Sequence, residues 1–321
     1  MAGGAGKTTL ARWAARAALE GGRRPAVLLR GHGAETTSGT PQVVPAEAPG
    51  DPAAARRFGD EAIAHRAALP PSILVVAGKA RHRAARIAAE HGADLIILDD
   101  GWEQGSLVWD HLWVAIDGTH PFGNGRTLPA GPLRRKPDNL LQANVIVEID
   151  EAPDETRAGL SLGLHGKGVM PPRIRFRRRV ESWRRLGGPA TPTSGGGPPP
   201  HGPVLVISSV GAPERLERFL RGAGVSPNEH LAFPDHAAWD PALVATTVAA
   251  LRARSPGALL AVVTDKDEAR ASLLPSLDLG LEVWVVRSEF EPVDDPAPLL
   301  AALRMAPRQA AHGGAPPDRL G

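Results

Sequence analysis

The first residues of this chain combine small side chains with one amine and one hydroxyl. The segment GGAGKT is the second half of the pattern G-x-x-x-x-G-K-[ST]. In that pattern backbone N–H groups surround phosphates, the lysine neutralises them and the hydroxyl reaches Mg²⁺. The segment therefore predicts a nucleotide site built from Gly3, Gly4, Ala5, Gly6, Lys7, Thr8 and Thr9.

A second motif, which ends in two acidic residues, lies at residues 95–101 and reads LIILDDG. Four apolar residues that end in two carboxylates resemble the strand whose terminal acid holds Mg²⁺ in nucleotide enzymes. The alternative is a strand that ends in a solvated aspartate pair or in a helix cap. With a phosphate loop upstream, we favour the metal interpretation for this aspartate pair, and the pattern does not choose between Asp99 and Asp100.

Two further polar pairs stay ambiguous on sequence alone. Asp60 and Glu61 open a predicted helix, where acidic residues are common because they complement the helix dipole. Asp235 and His236 follow a Phe-Pro dipeptide, and a lone Asp-His pair belongs more often to a turn than to a catalytic base. No local feature decides either case.

Residues 122–133 (FGNGRTLPAGPL) predict a fixed irregular loop after a strand. Loops at the carboxyl ends of parallel strands line ligand crevices, although an ordinary surface loop fits as well. Basic residues cluster at 134–136 and across 173–185, where 173–179 predicts an exposed strand or ribbon. They suit nucleic acid, anionic lipid, a phosphorylated substrate or simply a solvated face. Sparse aromatics give base stacking no support.

The elements that must position these residues alternate between strands and helices. Helices are predicted at 8–20, 59–69, 80–91, 213–222 and 241–254, and strands at 26–29, 73–76, 95–98, 112–116, 145–147, 204–207, 259–263 and 281–286. Strands that are apolar on both faces indicate a parallel sheet covered by helices. We expect an α/β fold, a P-loop NTPase-like parallel sheet with a second, smaller α/β block.

The expected organisation has four parts. These are a core at 1–186 with a basic ribbon near 172–186, a Gly/Pro linker at 187–202, a C-terminal lobe at 203–306 and a disordered tail at 307–321. A flexible loop is expected at 34–52. Because Met1 stands where the phosphate-loop pattern has its first glycine, we expect a shortened N-terminus and a first strand missing from the sheet.

Composition excludes some chemistry. The 321 residues include no Cys, so a disulfide framework and a thiolate nucleophile or metal ligand are excluded. Within these residues we expect no signal peptide, and no apolar run is long enough to cross a bilayer.

Taken in order, the motifs resemble the tetraacyldisaccharide 4'-kinase family of lipid A biosynthesis. The resemblance covers most of the chain, and its most specific stretch is FGNGRTLPAGPLR; the segments that carry it are GGAGKT, LLRGHG at 28–33, GDE at 59–61, VVAGKAR at 75–81, LIILDDG, FGNGRTLPAGPLR at 122–134, PDH at 234–236 and TDKD at 264–267. It implies an ATP- and Mg²⁺-dependent enzyme at the cytoplasmic face of the bacterial inner membrane. The substrate would be an acylated disaccharide phosphate and nucleic acid no partner. Membrane contact would be peripheral or through a missing N-terminal helix.

The resemblance also implies roles for single residues. Lys7 and the loop amides would hold the ATP phosphates, and Asp60 with His236 would activate the sugar hydroxyl. The implied Mg²⁺ ligands are Thr8, Asp99 and Glu61, and the implied substrate contacts are Arg81, His32, Gln104, Asn124 and Arg134. A base oriented by a carboxylate suits a poor nucleophile such as a sugar hydroxyl.

Departures from the family pattern keep alternatives open. His32 stands where the family usually has Tyr, and Gln104 and Arg135 also depart from the pattern. The last two favour a kinase of the same fold that acts on another sugar or lipid. The changed sugar-site residues and the missing strand favour a catalytically impaired nucleotide-binding relative. The arginine-rich ribbon suggests, more weakly, a nucleic-acid-binding ATPase.

Overall fold

A computed structural model gives the fold of the described part of the chain. It describes residues 6–31, 34, 40–48, 52–102, 107–118, 120–150, 169–186, 202–234, 237–255, 259–272 and 274–305. The helices are α1 (Lys7–Glu20), α2 (Pro52–Phe58), α3 (Asp60–Ala68), α4 (Arg81–Glu90), α5 (Pro213–Gly222), α6 (Pro241–Arg254), α7 (Glu268–Ala271) and α8 (Ala297–Arg304). The strands are β1 (Pro25–Leu29), β2 (Gln42–Val43), β3 (Leu74–Ala77), β4 (Leu95–Leu98), β5 (Trp113–Asp117), β6 (Val145–Asp150), β7 (Arg173–Arg185), β8 (Val204–Ser208), β9 (Glu229–Ala232), β10 (Leu260–Thr264) and β11 (Glu282–Pro292).

A four-stranded sheet follows α1, with strand order β2-β3-β1-β4. Strand β1 pairs in parallel with β3 and β4, and β2 pairs antiparallel to β3 at the edge. All five residues of β1 are buried, as expected for a central parallel strand with helices on both faces. The carboxyl ends of β1, β3 and β4 therefore meet at one edge, where LIILDDG places Asp99 and Asp100.

The larger sheet has seven strands in the order β5-β6-β7-β11-β10-β8-β9. Every neighbouring pair is parallel except β7 and β11. This sheet takes β5–β7 from before residues 187–202 and β8–β11 from after them. Because residues 187–201 lie outside the described ranges, the linker at 187–202 stays a prediction, as do the rest of the domain division and the tail at 307–321.

The strand predicted at 173–179 is present, but its predicted exposure is wrong. Strand β7 lies inside the seven-stranded sheet, paired with β6 on one side and β11 on the other, and Ile174 and Phe176 are buried. Five of its arginines form ion pairs within the chain: Arg173 with Glu148, Arg175 with Asp294, Arg179 with Glu289, Arg184 with Glu268 and Arg185 with Glu282. Alternation of charged and apolar residues thus marks an internal strand with arginines that pair with acidic side chains from distant segments.

Helix α1 packs against both sheets. Leu10 joins a core with Phe176 and Phe290 of the large sheet, whereas Ala15 packs with Val27 of the small one. Between the sheets, the edges of β4 and β5 and residues of α1 line a cavity of about 420 Å³. That exposure explains why all four residues of β4 are only half-buried. That a first strand is missing from the sheet stays a prediction, since residues 1–5 are not among the described residues.

Most predicted elements appear within a few residues of their predicted ends, and the loop prediction was the weakest. The segment 34–52 contains β2, and α2 begins at its last residue. Strand β9 and helix α8 had no sequence prediction. Within the described ranges, no helix has the length and apolar character that a bilayer crossing requires.

Candidate active site

Gly6 begins the site at the N-terminus of α1. Its φ of 83° lies in the left-handed region, and a Cβ atom added there would lie 2.5 Å from Phe290 Cζ. A glycine is therefore required by both backbone and packing. Lys7, Thr8 and Thr9 follow in the first turn of α1, while Gly3, Gly4 and Ala5 lie outside the described residues.

Ion pairs fix α1 relative to the rest of the protein. Arg12 Nη1 lies 2.5 Å from Asp265 Oδ2, with both side chains largely buried. One turn later, Arg16 Nη2 lies 2.5 Å from Glu181 Oε1 of β7 and donates to the Ala68 carbonyl at 2.7 Å. The helix that carries Lys7 and Thr8 is thereby held by contacts with both halves of the chain.

Asp100 lies between two cations. Lys7 Nζ is 2.6 Å from its Oδ1, and Arg134 Nη1 is 3.1 Å from its Oδ2. Burial disfavours the charged carboxylate, but Lys7, together with Arg134, outweighs this effect and lowers the pKa of Asp100. Asp100 also has a left-handed φ of 55°, which re-aims the chain directly after β4. The structure thus brings the predicted residues Lys7 and Arg134 to one point.

Asp99 is buried beside Asp100 and contacts two other elements. His65 Nε2 of α3 lies 2.9 Å from Asp99 Oδ2, and the Thr8 side chain is hydrogen-bonded to the same carboxylate. Burial opposes ionisation, but His65, Thr8 and the nearby Lys7 together lower the pKa of Asp99. Sequence reasoning missed His65, since one histidine inside a helix carries no signal of which strand it faces.

Asp60 and Glu61 stand at the N-terminus of α3, as predicted. Asp60 Oδ2 lies 2.5 Å from Arg270 Nη2, and Glu61 Oε1 lies 3.6 Å from Lys266 Nζ. Both cations belong to the segment that follows β10. His236, the predicted partner of Asp60, lies outside the described residues, so the predicted dyad stays a prediction.

Arg81 is the first residue of α4 and is almost completely buried, with 1% of its surface exposed. Its Nη1 donates to the Gly78 carbonyl at 2.8 Å, and its Nε is buried without a partner in the described part of the chain. Burial lowers the pKa of Arg81, and the negative charge of Asp99 acts against that effect. A guanidinium with an unsatisfied N–H next to the carboxylates is suited to binding an anion.

The loop 122–133 is fixed by its own hydrogen bonds. Asn124 Nδ2 donates to the Ala130 carbonyl at 3.0 Å, and Asn124 Oδ1 accepts from the Arg126 amide at 3.1 Å. Gly131 leaves room for this arrangement, because a Cβ there would lie 2.2 Å from Asn124 Oδ1. The structure therefore gives Asn124 a loop-shaping role and delivers Arg134 to Asp100.

Two predicted substrate residues, His32 and Gln104, also lie outside the described residues. Arg135, which departs from the family pattern, places its guanidinium 5.1 Å from the centre of the Trp102 ring, next to the LIILDDG segment.

The described ranges contain no group of three or more His, Asp or Glu side chains that could hold a metal ion. Mg²⁺ in nucleotide sites needs few protein ligands, because phosphate oxygens and waters complete its octahedron. The adjacent Thr8 hydroxyl and Asp99 carboxylate fit that limited requirement.

Comparison with known proteins identifies a matching family. The model of the family described as tetraacyldisaccharide-1-P 4'-kinase matches residues 1–306. Two relatives are named tetraacyldisaccharide 4'-kinase. The protein from Parvibaculum lavamentivorans is 33% identical over 278 residues, which are 85% of this chain and 72% of the relative. The protein from Hyphomonas neptunium is 33% identical over 300 residues, 90% of this chain and 76% of the relative.

A solved structure shares the fold. It is the apo form of LpxK from Aquifex aeolicus in complex with ATP, and it superposes with a TM-score of 0.61. The similarity covers 93% of this chain and 83% of that one at 20% identity. The predicted P-loop NTPase-like α/β fold is thereby confirmed.

Proposed function

The chain belongs to the tetraacyldisaccharide-1-P 4'-kinase family, and we propose that its phosphate transfer takes place at the cluster of Lys7, Thr8, Asp99 and Arg134. The protein is an ATP-dependent kinase of lipid A biosynthesis, a phosphotransferase that acts on a hydroxyl group. One observation carries the location of the site: the N-terminus of α1, the paired aspartates after β4 and Arg134 converge within hydrogen-bond distance.

The nucleotide would bind with its phosphates at the N-terminus of α1. The helix dipole and the free N–H groups of the first turn favour negative charge there. Lys7 is paired with Asp100 in this structure, and its ammonium group would move to form an ion pair with the outer phosphates of ATP. Arg134, on the other oxygen of Asp100, would remain to neutralise that carboxylate.

Thr8 and Asp99 would hold Mg²⁺, whereas Glu61, the third ligand implied by the family resemblance, lies 3.6 Å from Lys266 Nζ in this structure. The bound ion would neutralise charge on the transferring phosphate. His65 fixes the orientation of Asp99 by its 2.9 Å hydrogen bond, and the lowered pKa of Asp99 keeps it ionised at neutral pH. Asp99, the carboxylate ligand in this proposed metal site, is thus held in place by a hydrogen bond with His65.

Transfer would proceed by attack of the sugar 4'-hydroxyl oxygen on the γ-phosphorus. The bond to the bridging oxygen breaks, ADP leaves, and the hydroxyl proton passes to the Asp60–His236 pair. Arg81, buried at the N-terminus of α4 within the electrostatic range of Asp99, would add positive charge on the side of the transferring phosphate. Positioning and charge neutralisation supply most of the catalysis in such a site.

The acylated disaccharide phosphate would lie along the loop 122–133 next to Arg134 and Asn124; the contacts with His32 and Gln104 rest on the family resemblance alone. We place the protein at the cytoplasmic face of the bacterial inner membrane. Two features support this placement: Lys136, which is exposed shortly after the loop, and Leu128, which is 63% exposed on the loop itself. Basic and apolar groups on one surface favour contact with anionic lipid.

Radiolabelled phosphate transfer from ATP tests the proposal with the tetraacyl disaccharide 1-phosphate in mixed micelles and free amino-sugars as competing acceptors. We expect transfer to the lipid only, and we expect Asp99→Asn to abolish it. Arg254→Gln, which breaks an exposed ion pair with Glu229, serves as the control that keeps activity. Transfer to amino-sugars alone would overturn the substrate assignment, and full activity of Asp99→Asn would overturn the site.

A further inference from the structure

The turn after β10 reaches across the fold to the two acidic residues that open α3. Arg270 Nη2 lies 2.5 Å from Asp60 Oδ2, and Lys266 Nζ lies 3.6 Å from Glu61 Oε1. Asp60 and Arg270 are separated by 210 positions in the sequence. This turn includes the TDKD motif, to which the phosphate-transfer mechanism assigns no role.

Arg270 also contacts a second carboxylate, that of Asp267. Its Nη1 lies 3.3 Å from Oδ1 of Asp267, a carboxylate with no exposed surface. Asp267 accepts hydrogen bonds from the Thr264 hydroxyl at 2.8 Å and from the Ser209 amide at 3.2 Å, so its position is set by the last residue of β10 and by the residue that follows β8. The guanidinium therefore spans two carboxylates, one fixed in the core and one at the site.

Both oxygens of Asp60 are engaged in this arrangement. Oδ1 accepts from the Glu61 amide at 2.8 Å, and Oδ2 receives the Arg270 contact. Asp60 is 9% exposed, so the ion pair lies largely out of water, where a charge-assisted hydrogen bond is strong and directional. Rotation of the Asp60 side chain would break one of the two contacts.

We propose that Arg270 is a positioning residue, which holds the Asp60 carboxylate in the orientation needed to activate the acceptor hydroxyl. The inference rests on the proposed role of Asp60. The planar fork of arginine explains the residue type, since it binds two carboxylates at a fixed angle, whereas a lysine ammonium has no such geometry. A contact that only stabilises the fold would affect unfolding but not the chemical step.

The test compares Arg270→Ala, Arg270→Lys and the control Arg254→Gln. Misplacement of a catalytic group costs on the order of 10²-fold in rate. We therefore expect Arg270→Ala to lose about 10²-fold in kcat with KM for ATP within about twofold. Arg270→Lys should recover part of the loss, and millimolar guanidinium should recover part of it in Arg270→Ala. A rise in KM for ATP at unchanged kcat would overturn the proposal.

A double-mutant cycle separates this proposal from the function on which it rests. If Arg270 acts through Asp60, adding Arg270→Ala to Asp60→Asn changes the residual kcat little. An equal loss in both backgrounds would refute the positioning role while leaving Asp60 essential. Full activity of Asp60→Asn would refute the role of Asp60 itself, and the positioning role with it. If Arg270→Ala does not fold, Arg270→Lys in both backgrounds gives the same comparison.

Discussion

Replacing Gly6 by alanine perturbs the start of α1 in two ways that the structure separates. An L-residue at a φ of 83° loses about 1–2 kcal/mol to backbone strain. The new Cβ would also lie 2.5 Å from Phe290 Cζ, and such overpacking costs roughly 1–3 kcal/mol. We therefore expect Gly6→Ala to lower the free energy of unfolding by about 2–5 kcal/mol.

Gly22→Ala is the matched control. Gly22 has a φ of 81°, and its added Cβ would have no atom within 4 Å, so only the backbone strain applies. Urea unfolding of both variants should show that Gly6→Ala loses more stability by the overpacking cost. Combining Gly6→Ala with Phe290→Leu, which removes the ring edge, should recover part of the difference.

ATP binding by Gly6→Ala gives a second readout, measured at a temperature at which the variant stays folded. A displaced first turn would misalign the N–H groups proposed to bind phosphate, so we expect weaker ATP binding by calorimetry. Equal destabilisation by Gly6→Ala and Gly22→Ala would refute the packing argument. ATP binding at the native strength in Gly6→Ala would refute the assignment of this turn to phosphate.

Three other substitutions test separate parts of the structure. Lys7→Met should lower kcat/KM for ATP by about 10²-fold or more while the circular dichroism spectrum is retained, and native ATP kinetics would contradict the phosphate role of this lysine. Asp294→Asn tests pH dependence, because hydrogen bonds from Arg175 lower the pKa of Asp294 in the folded protein. The native protein should therefore be more stable than the variant by its full margin above the pKa of an aspartate in the unfolded chain, about 3.9. This margin should disappear as the pH falls through the lower pKa of the folded state. Urea titrations from pH 7 to pH 3 measure it, and an advantage that grows towards acid would refute the sign. Gly131→Ala should raise KM for the lipid acceptor more than KM for ATP, because its Cβ would displace Asn124 Oδ1, and equal effects on both would contradict a local loop role.

Local patterns predicted the elements that carry the site. The run LIILDDG gave β4 and its terminal aspartates, and the segment after Gly6 gave α1, since apolar runs and small residues act within a few positions. The arginine-rich strand β7 was misjudged because the acidic partners of its arginines lie far along the chain. Strand β9 gave no apolar signal, because it lies at an edge of the large sheet with its residues half-buried or exposed.

The sequence by itself determined the chemistry available to this protein. The GGAGKT segment predicts phosphate binding at Lys7 and Thr8, and the LIILDDG run predicts a metal ligand, because these roles depend on side-chain type next to a local element. Tertiary structure decided which groups meet. His65 faces Asp99, and Arg270 reaches Asp60 across 210 positions, because helix packing and strand order bring distant segments together. No short-range pattern encodes those distances, so the partners that orient the site could be found only in the folded chain.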